Sequence, residues 1–332
     1  MRTRNPLFAW QHLLAAALVL VALPGYTAEP VQRSLRVGLV HPYSPSTAPR
    51  GIAEFRERLR ELGYIEGQNL LIETRWADGH LEQLPGLLAE LVALRVDAII
   101  TWGTLAAIAA KNATSTIPIV AVAMGEPLRT GIATNLARPG GNLTGLSVGW
   151  GEGIAGKWLA LLQETVPRLT TVAVMGNRDD AMASYLLMDL EAMAPKRGLK
   201  LRLIDVREPS ALDRAFQQAG REAQAAMVLP GNPLIFAHRE RVVALAAKRR
   251  LPTIYSNRDY VEAGGLMTYS PDFVVMLRRA ADYLDKILQG AKPGDLPIEQ
   301  PTTFALVINL KTAKALNLNI PESILLQAEV IR

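Results

Sequence analysis

Cysteine is absent from all 332 residues. That excludes disulfides, thiolate metal sites, a cysteine nucleophile and a lipidated cysteine anchor. Histidine is scarce. Of the four, His12 lies in an N-terminal apolar stretch, and His41, His80 and His238 are too far apart to form a metal-ligand pair. Neither a G-x-S-x-G elbow nor H-E-x-x-H occurs. No basic run is interleaved with aromatics, so the sequence offers nothing for nucleic acid. Beyond the N-terminus no segment is apolar enough to span a bilayer. No catalytic residue, metal or cofactor is indicated.

What is present begins with a leader. Arg2 and Arg4 precede an unbroken apolar run, Leu13 to Leu23, which Pro24-Gly25 ends before Tyr26-Thr27-Ala28. This is the layout of a cleavable secretory signal over residues 1–28. It is too short to cross a membrane comfortably, so a periplasmic protein is expected. Taking Arg2 and Arg4 away from the 36 basic residues leaves a small excess over 31 acidic ones. The remaining chain is long enough for about two domains. Its 49% apolar and 20% charged composition is that of a globular α/β protein.

From Leu35 onward, short apolar runs alternate with amphipathic ones. Residues 35–40, 69–75, 97–101 and 117–123 read as strands in the first half. Residues 171–175, 199–206, 225–229 and 253–255 do so in the second. Between them, segments such as Gly51–Leu62 carry Ile52, Phe55, Leu59 and Leu62 at helical spacing. Strands apolar on both faces, separated by helices, predict parallel sheets covered on each side. The halves also correspond in detail. Asp97–Trp102 runs into Gly103-Thr104 as Ala226–Leu229 runs into Gly231-Asn232. The expected fold is α/β, with two doubly wound parallel-sheet lobes of Rossmann-like form joined by a three-strand hinge. The first lobe is expected at 35–146 with 268–292, the second at 148–266 with 296–332. Ligands of such sheets bind beyond the carboxyl ends of the strands.

Gly151-Glu152-Gly153-Ile154-Ala155-Gly156 fits G-x-G-x-x-G between a strand and a helix, and Asp179 follows 26 residues after Gly153. A secreted dinucleotide-dependent oxidoreductase is therefore the alternative. Three points weaken it: the first glycine sits past the strand end, the leader lacks a twin arginine, and a lobe crossover also needs glycine. At the strand ends, Thr104 either caps a helix or joins its N–H groups in holding a carboxylate. Glu126 is the acid best suited to a ligand ammonium in the first lobe, with Asp179 and Asp259 as alternatives in the second. Tyr43, Trp102, Tyr255 and Tyr269 are aromatic groups placed to grip a ligand.

The stretches Leu62–Asn69 (LGYIEGQN), Asp97–Thr104, Ile117–Val120, Arg138–Gly145 (RPGGNLTG) and Ile308–Leu316 (INLKTAKAL), with Ile320–Ser323, resemble the ABC-transporter substrate-binding family that includes tryptophan-binding members. The resemblance covers nearly the whole chain after the leader. It implies the type I periplasmic binding fold and a small-molecule ligand. An ABC permease and its ATPase subunit are the implied partners, and a monomer that catalyses nothing is expected. A ligand-sensing protein without a transporter is a further alternative. Carried over, the family's ligand loops fall at Tyr43, Gly103-Thr104, Gly125-Glu126, Ser147, Asn177, Asn232, Asn257-Arg258 and Tyr269, with Trp102 beside them. The sequence departs from the family where Glu126 replaces Asp, where Met175–Arg178 lacks Asn-Pro, and where Leu229–Asn232 lacks Thr-Asp. These departures weaken the case for an aromatic amino acid as ligand.

Overall fold

The computed structural model describes residues 34–47, 51–150 and 152–332; the expected leader lies outside them. In chain order the first lobe contains β1 (Leu35–His41), α1 (Gly51–Glu61), β2 (Leu70–Trp76), α2 (Leu84–Ala93), β3 (Ala98–Trp102), α3 (Thr104–Ala113), β4 (Ile119–Met124) and β5 (Leu143–Ser147). The chain crosses to the second lobe for α4 (Glu152–Thr165), β6 (Thr171–Gly176), α5 (Ala181–Met193), β7 (Lys200–Asp205), α6 (Leu212–Glu222) and β8 (Ala225–Val228). There follow α7 (Pro233–Ala237), α8 (Arg239–Lys248), β9 (Thr253–Tyr255), α9 (Arg258–Glu262) and β10 (Met267–Ser270). It returns for α10 (Phe273–Leu288) and β11 (Ile298–Glu299), then crosses again to β12 (Ala305–Asn309), α11 (Leu310–Ala315), α12 (Glu322–Leu325) and β13 (Ala328–Ile331).

The six-stranded sheet of the first lobe runs β11-β5-β4-β3-β1-β2, and the seven-stranded sheet of the second runs β13-β12-β10-β9-β8-β6-β7. Their inner orders are the same, so the repeat between the two halves is a repeat of topology. All pairings are parallel except β10 with β12.

Two lobe boundaries differ from expectation. The returning segment expected at 268–292 enters the first lobe only after Ser270, because Met267–Ser270 pairs with β9 and β12. The C-terminal segment expected from 296 enters the second lobe only after Glu299, because Ile298 and Glu299 pair with β5. Both shifts come from short strands, β10 inside its sheet and β11 at the edge of the other, which no long apolar run announces. Among the described residues the chain crosses after β5, at 148–150, and again at 271–272 and 300–304.

Packing follows the two-residue period of the strands. Val37, Leu39, Ala98, Ile100, Val120 and Val122 face α1 and α10, whereas Val40, Ile99, Ile119 and Ala121 face α2 and α3. Helix α1 buries Ile52, Phe55 and Leu59 as its spacing predicts. Each such side chain contributes about 1.5–3 kcal/mol by leaving water. The first cluster is continuous through Trp102, Val148, Trp150 and Trp158 into the second lobe. Gly145 on β5 has φ of 137°, and a Cβ there would lie 1.9 Å from the Ala121 carbonyl oxygen. Only glycine lets β5 approach the irregular end of β4 so closely.

Candidate functional site

In both sheets the chain leaves the first strand on one face and the next inner strand on the other, so each sheet has a switch point, between β1 and β3 and between β6 and β8. The loops at those points line one cavity. Pro42 and Tyr43 follow β1, Gly103 to Ala106 follow β3, and Ala123 closes β4. From the second lobe come Asp180 after β6, Leu229 to Pro233 after β8, and Ser256 and Asn257 after β9. Val148 and Trp150, from the first crossing, complete the wall.

Six aromatic side chains face it: Tyr43, Trp102, Trp150, Phe236, Tyr260 and Phe273. They brace one another, with ring centroids 5.0 Å apart for Tyr43 and Phe236, 5.5 Å for Trp102 and Phe273, and 5.7 Å for Phe236 and Tyr260. The Tyr43 and Phe236 contact joins the lobes. Burial pushes the Tyr43 phenol well above its ordinary range, and the carboxylates of Asp259 and Asp180 push it further. Tyr43 therefore stays a neutral phenol in the wall. Trp150 is 3% exposed, and its Nε1 has no hydrogen-bond partner.

Asp180 is the single charged residue lining the cavity among the described residues. It is 6% exposed and caps α5, its Oδ1 accepting from the Ala183 N–H at 2.8 Å. Gly231, at φ of 97°, lies against it; a Cβ there would meet Asp180 Oδ1 at 2.2 Å. Across the cavity, α3 starts at Gly103, which offers no side-chain cap. The Thr104 Oγ1 accepts from the Gly125 N–H at 2.8 Å and ties the β3 loop to the β4 loop. The first turn of α3, with Leu105 and Ala106 in the wall, presents its N–H groups and the positive end of a helix dipole.

Tyr43, Trp102, Gly103, Thr104, Asn232 and Asn257 of the expected site meet here. The polar groups of the last two are largely committed. Asn232 caps α7 and donates to the carbonyls of Val206 and Arg207, and Asn257 Oδ1 accepts from the Asp259 N–H. The other six do not line the cavity. Gly125 supports Thr104 from behind. Glu126, at φ of 41°, lies beside Arg129, and burial raises its carboxyl above the usual range. Ser147 is buried at the end of β5. Asn177 holds the Asp179 N–H at 3.0 Å beside a separate shallow depression. Arg258 is occupied by Glu262 and Glu329. Tyr269 stacks on Phe304 at 5.4 Å and accepts the Trp158 indole N–H at its carbonyl, which places it in hinge packing.

Sequence reasoning missed Asp180, naming its neighbour Asp179 instead. The available signal was the helix that starts at Ala181, because an acid before a helix is an N-cap and points inward at a strand-end loop. Trp150 carried no signal beyond its place at the crossing. Of the glycine-rich stretch, Gly151 lies outside the described residues. Gly153 to Gly156 are inside α4, and a Cβ at Gly156 would lie 3.1 Å from the Met193 side chain, so that glycine serves the packing of α4 on α5. None of Gly153 to Gly156 lines the cavity.

A family model described as ABC transporter substrate binding protein matches residues 44–331. The chain is 25% identical over 268 residues to a tyrosine-binding protein of Clostridioides difficile, covering 80% of this chain and 75% of that one. It superposes with a TM-score of 0.82 and 26% identity on an ABC domain from Streptococcus pneumoniae in complex with L-Trp, over 90% of this chain and all of that one. A conserved domain protein from Vibrio cholerae gives a TM-score of 0.84 at 25% identity, with the same coverage.

Proposed function

The chain belongs to the ABC transporter substrate-binding family and has its two-lobed type I periplasmic binding fold, and from that premise we propose that it captures a free amino acid with an aromatic side chain. The observation that carries this reading is Asp180, the single charged residue among the described ones that line a cavity walled by six aromatic rings and faced by the first turn of α3. A zwitterion matches that distribution. Its ammonium goes to Asp180 and its carboxylate to the first turn of α3. Its ring goes among Tyr43, Trp102 and Phe236. The tyrosine-binding and L-Trp-bound relatives support the same class.

In this reading the protein is exported, works as a monomer in the periplasm, catalyses nothing and hands its ligand to a permease served by an ATPase. Closure of the lobes on the ligand is the step the permease recognises.

Titration calorimetry against the twenty amino acids, with NAD and NADP included, tests the assignment. L-tyrosine, L-tryptophan or L-phenylalanine is expected to bind most tightly, to quench tryptophan emission and to raise Tm. A Tm rise with NAD or NADP and none with any amino acid sinks it. Trp150→Phe is expected to weaken the bound amino acid by about 1 kcal/mol, because its buried indole N–H otherwise finds an acceptor on the ligand. Unchanged affinity in that variant would remove Trp150 from the contact set.

A further inference from the structure

Lobes that close on a ligand need contacts that exist only when they meet, and one such contact lies outside the cavity. Arg129 sits in the first-lobe loop after β4. That loop is firmly held. The Thr130 N–H and hydroxyl donate to the Glu126 carbonyl at 2.9 and 3.0 Å, and Lys111 Nζ donates to the carbonyls of Gly131 and Ile132 at 3.2 and 2.7 Å. Ile132 and Ala133 are buried in the first-lobe core.

The residues Arg129 touches belong to the second lobe, one turn apart on α5. Its Nη1 donates to both carboxylate oxygens of Asp189, at 3.0 and 2.9 Å. Its guanidinium lies 4.4 Å from the centre of the Tyr185 ring, and the Tyr185 hydroxyl donates to the Arg129 carbonyl at 2.9 Å. The Asp189 side chain is 8% exposed and that of Arg129 is 33% exposed.

We infer that Arg129, Asp189 and Tyr185 form an interlobe latch that sets how long the protein stays closed, whatever ligand it holds. The physical reason is asymmetry between the two conformations. Separated lobes leave both charges hydrated. Joined lobes bury Asp189, and among the described residues Arg129 is the cation that offsets that desolvation. Glu126, half-buried beside Arg129 and raised by burial, is a second acid that the guanidinium answers. The free energy of this cluster therefore counts toward closure and not toward the folding of either lobe. The contact is also structurally independent of the cavity, because none of the three residues lines it.

The absence of cysteine makes the test clean. Spin labels at Ile65→Cys in the first lobe and Leu326→Cys in the second, both exposed, report the interlobe distance by pulsed electron paramagnetic resonance. Distributions are recorded for the otherwise unaltered chain, Arg129→Gln, Asp189→Asn and the double variant. Each is measured alone and with saturating L-tyrosine or L-tryptophan. Arg129→Gln is expected to lower the ratio of closed to open protein roughly tenfold or more, the scale for stranding one member of a partly buried pair. The double variant is expected to close better than Arg129→Gln, since it leaves no buried charge unanswered. Arg129→Gln distributions that superimpose on those of the unaltered protein overturn the latch, even if its Tm falls. An unaltered protein with no closed population under any of these conditions overturns it as well.

Discussion

Asp180→Asn is expected to leave the fold intact and to weaken binding of a zwitterionic amino acid by about 2–5 kcal/mol, which is roughly thirtyfold to several thousandfold in Kd. Closure removes water from the cavity, and an ammonium buried there without a carboxylate keeps its desolvation penalty. No other charged side chain lines the wall among the described residues. The substitution isolates the charge, because Asn is as good a helix cap as Asp and can still accept the Ala183 N–H. The cap at the start of α5 should therefore persist in the variant, and circular dichroism of the ligand-free protein checks that the fold is kept. Calorimetric titration with whichever amino acid binds best decides the matter. Asp179→Asn is the control: Asp179 pairs with Arg207 at the surface and does not line the cavity, so affinity should change by less than about 0.5 kcal/mol. Equal affinity in Asp180→Asn and the unaltered chain would show that the ligand carries no cation there.

Acid is expected to destabilise the folded protein well above the carboxylate range. His41, at the end of β1, is 2% exposed and is packed against Tyr43, Trp76 and Trp102. Its Nδ1 accepts the Tyr43 N–H at 3.3 Å, which leaves the proton on Nε2, where no partner exists. Burial lowers its pKa from 6.5 to about 3. The unfolded chain therefore binds a proton that the folded chain refuses throughout that window. Stability is fully present above pH 6.5 and falls as pH drops toward 3, by about 1.4 kcal/mol per unit. Between pH 6.5 and 4.5 that is about 2–3 kcal/mol, a large part of the stability of an ordinary domain. Urea unfolding at a series of pH values measures it. His41→Gln keeps an acceptor for Tyr43 and cannot be protonated, so its stability should be flat over the same window. A variant that loses stability with the same slope would shift the cause to other groups. Because Tyr43 and Trp102 are cavity walls, the same acidification should also loosen the ligand site.

Much of the chain could be read without coordinates. Strand and helix are written in local periodicity. Gly51–Glu61 buries Ile52, Phe55 and Leu59 because a 3.6-residue period leaves no other face for them. The strands that run apolar on both faces could only be the middle of covered parallel sheets. The matching of Gly103-Thr104 with Gly231-Asn232 placed two loop sets at equivalent strand ends, and both line one cavity.

What escaped is what depends on direction and distance. Asp179 and Asp180 are adjacent acids in sequence. The cap at the start of α5 turns Asp180 inward, while Asp179 pairs with Arg207 at the surface. Ser147 ends β5 and Glu126 follows β4, yet Ala123 and Val148 reach the cavity in their place. Trp150 and the Arg129 contact with Asp189 bring together segments from opposite lobes, which no periodicity links. Composition and spacing settle which backbone elements form, because hydrogen bonding and burial act over one or two turns. Which side chains share a cavity is settled by how the two sheets face each other, and that geometry arises only when the lobes pack.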